Sequence, residues 1–236
     1  MSNNYFRFKR FTIEQEKCAM KVGTDGCLLG GWFDCSQSRR ILDVGTGSGL
    51  IAIMAAQRSN AHVTGIEIDS DAVLQAKVNV KNSSWNDRIE IIEENLLAYM
   101  PDELFDTIVS NPPYFVNSLK CDDLSRTLAR HSDSLGSDGF FSSAARLLTP
   151  DGKVSVIIPC DILKEWQSSA AEFGFYPSRT TFVKTTPRKN PKRVMVEFCR
   201  EKVAEAENGT LVLEDSPGVY SEEAQEILRD FYLKIM

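Results

Sequence analysis

The chain has 236 residues, enough for one domain of ordinary size with decorated ends. Its 42% hydrophobic and 25% charged residues are those of a soluble globular protein and exclude disordered, collagenous and low-complexity architectures. A formal net charge of −6 argues against an indiscriminate nucleic-acid binder.

Residues 1–39 form an N-terminal extension in which Tyr5, Phe6, Phe8 and Phe11 are interleaved with Arg7, Lys9 and Arg10. No apolar run follows those cations, so the segment does not read as a secretory leader. Apolar runs elsewhere are short, such as the six residues 51–56, whereas about 20 are needed to span a bilayer. A cytoplasmic protein with no membrane partner is expected. From residue 40 onward, short β-rich runs alternate with amphipathic segments, the pattern of a mostly parallel sheet with helices on both faces. Strands are predicted at 40–44, 62–67, 89–92, 105–109, 153–158, 180–185 and 193–200, and helices at 50–58, 71–82, 139–148, 161–173 and 222–233. Seven strands in an α/β domain over 40–200 are therefore expected. A polar linker containing Asn208-Gly209 then leads into an acidic appendage over 201–236.

The first predicted strand runs into Leu42-Asp43-Val44-Gly45-Thr46-Gly47-Ser48-Gly49, and a helix opens directly after it. Glycines at such a turn allow positive φ and let a ligand lie against bare backbone. Glu67 ends the next strand 18 residues after Gly49, where a carboxylate can take both hydroxyls of a ribose. The fourth strand leads into Asn111-Pro112-Pro113-Tyr114, a loop that faces the same crevice because ligands of open α/β sheets sit at the carboxyl ends of the strands. An exocyclic amine on adenine is planar and a poor nucleophile. Two acceptors on its two hydrogens pull nitrogen toward tetrahedral geometry and aim its lone pair. The Asn111 side-chain oxygen and the Pro112 carbonyl are suited to this, because proline offers an acceptor with no competing N–H. Pro113 stiffens the loop, and Tyr114 offers a face for a base to stack on.

The Asp-x-Gly-x-Gly-x-Gly spacing at 43–49 resembles motif I of the class I S-adenosylmethionine methyltransferases, and Asn-Pro-Pro-Tyr resembles the reaction loop of those that methylate adenine N6, cytosine N4 or glutamine N5. The block from Cys18 to Gly26, followed by Leu28-Leu29-Gly30-Gly31-Trp32, is similar to the N-terminal signature of the bacterial tRNA(Val) adenine N6-methyltransferases. Phe115, Ala129-Arg130-His131 and Lys192-Arg193 also match that family, and the likeness extends over residues 6–200. The resemblance implies a Rossmann-like class I methyltransferase fold, S-adenosylmethionine as cofactor and a tRNA anticodon-loop adenine as substrate. It implies a cofactor site of Lys21, Thr24, Asp25, Asp43, Gly45, Thr46, Gly47, Gly49, Leu50, Glu67, Ile68, Glu94, Asn95, Leu96 and Asn111, with the 1–39 extension covering it. Asn95 departs from the family, many of whose members carry Asp there; an amide still accepts from adenine N6–H, and Glu94 stands beside it. Thr24-Asp25 read alone is also a helix cap.

Reaching a base requires a single-stranded or flipped-out nucleotide, and its phosphates require cations. From 179 to 202 there are eight Lys/Arg against two acids, whereas 203–236 holds eight acids against Arg229 and Lys234. Arg188, Lys189, Lys192 and Arg193, together with Arg126, Arg130 and His131, are the candidate RNA contacts. Six cysteines without a C-x-x-C pair, and only His62 and His131, predict no metal site and packing thiols instead. No obligate protein partner is evident. Rival readings are a DNA adenine or protein glutamine methyltransferase, a nicotinamide-dependent oxidoreductase and a non-catalytic RNA-binding module. No segment is large enough to read a DNA groove, the basic patch has no use on glutamine, and His131 alone hardly suffices for hydride chemistry.

Overall fold

A computed structural model describes residues 3–18, 20–112 and 136–234. Strands β1 (Tyr5–Arg7) and β2 (Thr12–Glu14) pair antiparallel and precede helix α1 (Thr24–Trp32). The α/β alternation follows as β3 (Arg40–Val44), α2 (Leu50–Arg58), β4 (His62–Glu67), α3 (Ser70–Lys81), β5 (Ile89–Glu93) and β6 (Phe105–Ser110). Beyond residue 135 come α4 (Ser137–Leu147), β7 (Leu148–Pro159), α5 (Leu163–Glu172), β8 (Tyr176–Lys184) and β9 (Arg193–Cys199). Strands β10 (Glu207–Val212), β11 (Glu214–Ser216) and β12 (Val219–Tyr220) and helix α6 (Glu222–Leu228) complete the described chain.

The main sheet has the order β10-β8-β9-β7-β6-β3-β4-β5, and β9 runs antiparallel to both its neighbours while the remaining pairs are parallel. It holds eight strands rather than the seven expected, because the segment read as a polar linker pairs with β8 along 207–212. Only Leu211 of β10 is buried, so side-chain pattern gives no strand signal there. Backbone pairing to an open edge holds it. The turn predicted at Pro150-Asp151-Gly152 appears as a break in register within β7: Phe105 stands opposite Leu148, and Thr107 opposite Lys153.

Alternation along the strands builds two cores. Ile41, Val109, Ile157 and Met195 face α1, α2 and α3, whereas Leu42, Val44, Ile108, Val154, Val156 and Ile158 face α4 and α5 with Phe140, Phe141 and Trp166. Asp43 lies between two residues of the second set and so points under α2. Both chain ends dock on the first core. Phe8 bridges to Tyr232 and stacks on Phe11, and Phe231 is buried beside them. That docking ends α6 at Leu228, short of the predicted 233, because Phe231 and Tyr232 turn inward.

Helix α1 is clasped between α2 and α6 through two glycines. A Cβ on Gly31 would stand 2.5 Å from the Ile227 carbonyl oxygen, whereas one on Gly30 would meet the flexible end of Met54 at 2.6 Å. Gly31→Ala is therefore expected to cost about 1–3 kcal/mol and to lower the melting temperature by several degrees, more than Gly30→Ala. Thermal unfolding of the two variants side by side checks this.

Candidate active site

Because β3, β4, β5 and β6 are parallel, their carboxyl ends share one edge of the sheet. Val44 is level with Ile66 on β4 and Ser110 on β6, and Glu67 is level with Glu93 on β5. Gly45, Glu67, Glu94 and Asn111 are therefore brought to one row although they span 67 positions of sequence. The chain leaves β3 toward β4 on one side and returns as β6 on the other, a switch point at which such sheets open a ligand crevice. The Ser110 hydroxyl donates to the Val44 carbonyl at 2.8 Å and ties the two lips together.

Gly45, Gly47 and Gly49 all adopt positive φ (68°, 55° and 80°), where side chains are strained. A Cβ on Gly45 would meet nothing within 4 Å, so the loop presents bare backbone outward. Its inner side is held by Asp43, whose Oδ2 accepts the Thr46 hydroxyl at 2.7 Å and the Ala52 N–H at 3.0 Å. Burial pushes the Asp43 carboxyl up to about 7; those two hydrogen bonds pull it back, and the Glu67 charge raises it further. Its Oδ1 is buried and has no partner among the described residues. Leu50, the first residue of α2, is buried directly behind the loop.

Glu67 is locked by backbone donors. Its Oε2 accepts the Gly47 N–H at 3.0 Å, and its Oε1 accepts those of Ile68 at 2.8 Å and Asp69 at 3.1 Å. Among the described residues Oε2 accepts only the Gly47 N–H, one of the two bonds a carboxylate oxygen can take. Ile68 is 64% exposed, as an apolar platform next to Glu67 would be. Glu94 accepts the Asn95 N–H at 2.8 Å, and the Asn95 side-chain oxygen accepts the Leu97 N–H at 2.9 Å, capping the turn that follows β5. Leu96 is buried and anchors that turn.

The first turn of α1 packs against one end of this row. A Cβ on Gly26 would lie 3.2 Å from Leu50 Cδ2 and 3.8 Å from Asn111 Nδ2, so the first turn of α1 sits across the start of α2 and Asn111. Asp25 makes no cap of α1; its Oδ2 accepts from Arg193 Nε at 2.8 Å, joining α1 to the start of β9. Lys21 and Thr24 are exposed. Burial foremost, then the carboxylates of Asp69 and Glu67, push the Cys18 thiol up to about 11 against a weaker pull from Lys21, which places this stretch beside the end of β4. Asn111 is half-buried and Pro112 buried. Pro113, Tyr114, Arg126, Arg130 and His131 lie outside the described residues.

The turn from β8 to β9 reaches the same edge, since β8 is parallel to β7 through β9. Arg188, Lys189 and Lys192 are exposed on it. Five of the eight Lys/Arg at 179–202 are otherwise engaged: Arg179 lies 3.8 Å over the Trp32 ring, Lys184 donates to the Pro187 carbonyl at 2.7 Å, Arg200 donates to the Ala145 carbonyl at 2.7 Å, Lys202 lies 5.7 Å over the Tyr176 ring, and Arg193 holds Asp25. Sequence reasoning overlooked the Asp25–Arg193 link, which joins positions 168 apart. It also overlooked Asn79, whose signal was legible: an amide on the buried stripe of Ala72, Val73, Ala76 and Val80. Among the described residues no group of three or more His, Cys, Asp or Glu could hold a metal ion, and no helix is long and apolar enough to cross a membrane.

Comparison with known proteins agrees with this geometry. The family model described as "Methyltransferase small domain" matches residues 20–163. A tRNA1(Val) (adenine(37)-N6)-methyltransferase of Phocaeicola vulgatus is 48% identical over 235 residues, covering all of both chains. The protein of the same name from Parabacteroides distasonis is 47% identical, again over the whole of both chains. Among solved structures, a predicted O-methyltransferase from Agrobacterium tumefaciens superposes with a TM-score of 0.69 at 19% identity, covering 90% of this chain and 99% of that one. A glycopeptide N-methyltransferase complexed with S-adenosyl-L-methionine gives 0.58 at 13% identity, covering 77% of this chain and 100% of that one. These two share the fold alone. With full-length identity near one half to its named relatives, a topological switch point between β3 and β6 and Asn-Pro-Pro-Tyr after β6 in the sequence, this chain belongs to the tRNA1(Val) (adenine(37)-N6)-methyltransferase family.

Proposed function

We propose that this chain transfers a methyl group from S-adenosylmethionine to the exocyclic N6 of an adenine in tRNA, the anticodon-loop adenine that its relatives' name specifies. The observation that carries the reading is the row of Gly45, Glu67, Glu94 and Asn111 along one sheet edge. The residues present fit the cofactor. Bare backbone at Gly45 leaves room for close approach, and Oδ1 of Asp43, without a partner among the described residues, can accept a hydrogen bond. Glu67 would hold the ribose hydroxyls, Ile68 and Leu96 would flank the adenine, and Glu94 with Asn95 would accept from its amine. Thr46, Gly47, Gly49 and Leu50 shape the floor, while Lys21, Thr24 and Asp25 belong to the cover formed by the N-terminal extension.

S-adenosylmethionine, when bound, supplies an electrophilic methyl carbon, so the protein's task is positioning. Asn111 Oδ1 and the Pro112 carbonyl would accept the two N6 hydrogens of the target adenine and orient its lone pair into the crevice. Pro113 would keep the loop stiff and Tyr114 would stack on the base. No residue needs to remove a proton beforehand, because the amine becomes acidic only as it is methylated. The α/β domain over 40–200 would carry the chemistry, with the 201–236 segment bracing its sheet edge.

Transfer of label from tritiated S-adenosylmethionine to unmodified tRNA, followed by digestion, tests the reading. N6-methyladenosine from tRNA supports it. Label in DNA, or in the glutamine of a release factor, would overturn the substrate. For RNA contact, Arg188, Lys189 and Lys192 join Arg126, Arg130 and His131 as candidates, with Arg193 bridging this surface to α1. Replacing Arg188, Lys189 and Lys192 together by Ala is expected to lower the slope of log K against log salt for tRNA binding by about 2. An unchanged slope removes that turn from the interface.

A further inference from the structure

Asn79 of α3 is 1% exposed and lies outside every motif that marks the site. Its Oδ1 accepts the Glu14 N–H at 2.9 Å, and its Nδ2 donates to the Glu14 carbonyl at 2.8 Å and to the Ser48 carbonyl at 2.8 Å. Both amide hydrogens and the amide oxygen are thus engaged on two backbone segments 34 positions apart, the β2 strand and the glycine loop. We propose that Asn79 is a positioning residue for cofactor binding, which holds the glycine loop in its ligand-ready form and joins it to the N-terminal cover. The inference rests on the proposed reading of that loop as the S-adenosylmethionine site.

The loop needs such a donor because of Asp43. In a regular helix the Ser48 carbonyl would receive the N–H of Ala52, but Ala52 donates to Asp43 instead. The first regular bond of α2 runs from the Ile53 N–H to the Gly49 carbonyl at 3.0 Å. The Ser48 carbonyl is therefore left for a side chain to satisfy, and Asn79 satisfies it. That bond fixes the peptide plane entering Gly49, whose φ of 80° ends the loop. Helix α3 is close enough for this because Gly49 has no side chain: a Cβ there would lie 3.5 Å from that of Ala76, one turn before Asn79.

The bonds to Glu14 extend the effect outward. Beyond Glu14, the Gln15 side chain is buried, accepts the Val22 N–H at 2.7 Å and donates to the Asn3 carbonyl at 2.9 Å. The Lys17 N–H reaches Gln75 on α3 at 3.4 Å. The strand that leads to Lys21, Thr24 and Asp25 thus hangs on amides of α3, and Asn79 is the one that also touches the loop. A rigid α3 sets the distance between cover and loop floor.

The test compares full-length wild type with Asn79→Ala, Asn79→Asp and, as a control, Val73→Ala on the buried face of the same helix. Calorimetric titration with S-adenosylmethionine and steady-state kinetics with tRNA are measured on each. Asn79→Ala is expected to raise the Kd and KM for S-adenosylmethionine at least tenfold while kcat and the KM for tRNA stay within twofold. Asn79→Asp is expected to do the same, since it is isosteric but turns oxygen toward two carbonyls; it carries the test if the alanine variant does not fold. Val73→Ala is expected to lower the melting temperature with Kd within twofold. A Kd within twofold in both Asn79 variants, or an equal rise in Val73→Ala, overturns the inference. Failure of the wild type itself to bind S-adenosylmethionine would overturn the reading of the loop and this inference with it.

Discussion

Replacing Asn111 by Ala is expected to lower kcat for methyl transfer about 10²- to 10³-fold, the size of effect seen when one preorganised hydrogen-bond partner of a transition state is removed. Affinity for S-adenosylmethionine should stay within about twofold. The reason is positional. Asn111 follows β6 directly, its strand end is tied to β3 through the Ser110–Val44 bond, and the first turn of α1 leaves it room through Gly26. An alanine there keeps the loop's proline while deleting the acceptor proposed for the planar amine. Asn111→Asp retains an acceptor and should lose less. Single-turnover kinetics with saturating cofactor separate the chemical step from binding. A parallel loss of cofactor affinity would show that the asparagine supports the loop rather than the amine.

The second large effect concerns Asp43. Its folded carboxyl titrates at about 7, above the ordinary 3.8, chiefly because it is buried. Between those values the folded state retains a proton that the unfolded chain has released. Asp43's contribution to stability is therefore fully present below about pH 4 and is lost as pH rises through 7. At pH 8 the buried charge costs on the order of 4 kcal/mol by this reckoning. Asn at this position keeps an oxygen for Thr46 and Ala52 and puts an amide where Oδ1 has no described partner. Asp43→Asn should accordingly flatten the fall of melting temperature between pH 5 and 8. Asp43→Ala should instead destabilise at every pH, because it strands the Thr46 hydroxyl and the Ala52 N–H. A cationic cofactor favours the ionised carboxylate, so wild-type affinity for S-adenosylmethionine should rise with pH through 7, and the Asn variant should lose both affinity and that dependence. Equal pH profiles for wild type and Asn variant would show that this carboxyl is not the titrating group.

The α/β alternation and the glycine loop were legible in the sequence because each is local. Strand and helix periods, the φ freedom of glycine and the missing N–H of proline act within a few residues. The glycine loop and Asn111 fall on one edge by the rule for open α/β sheets, whereas Glu94 was implied only by the family resemblance and the strand order had to come from the pairing. What only the tertiary structure decided depends on partners far apart in the chain. Strand β10 is polar and exposed along most of its length, and it exists because β8 offers an unpaired edge. The Asp25–Arg193 pair joins α1 to β9, so one cation of the basic run is committed to holding α1. Asn79 is an ordinary helical amide until folding sets Glu14 and Ser48 on either side of it. Local propensity determines which segments become strands, helices and turns. Which buried polar group satisfies which backbone carbonyl is settled only when the layers close and water is no longer there to compete.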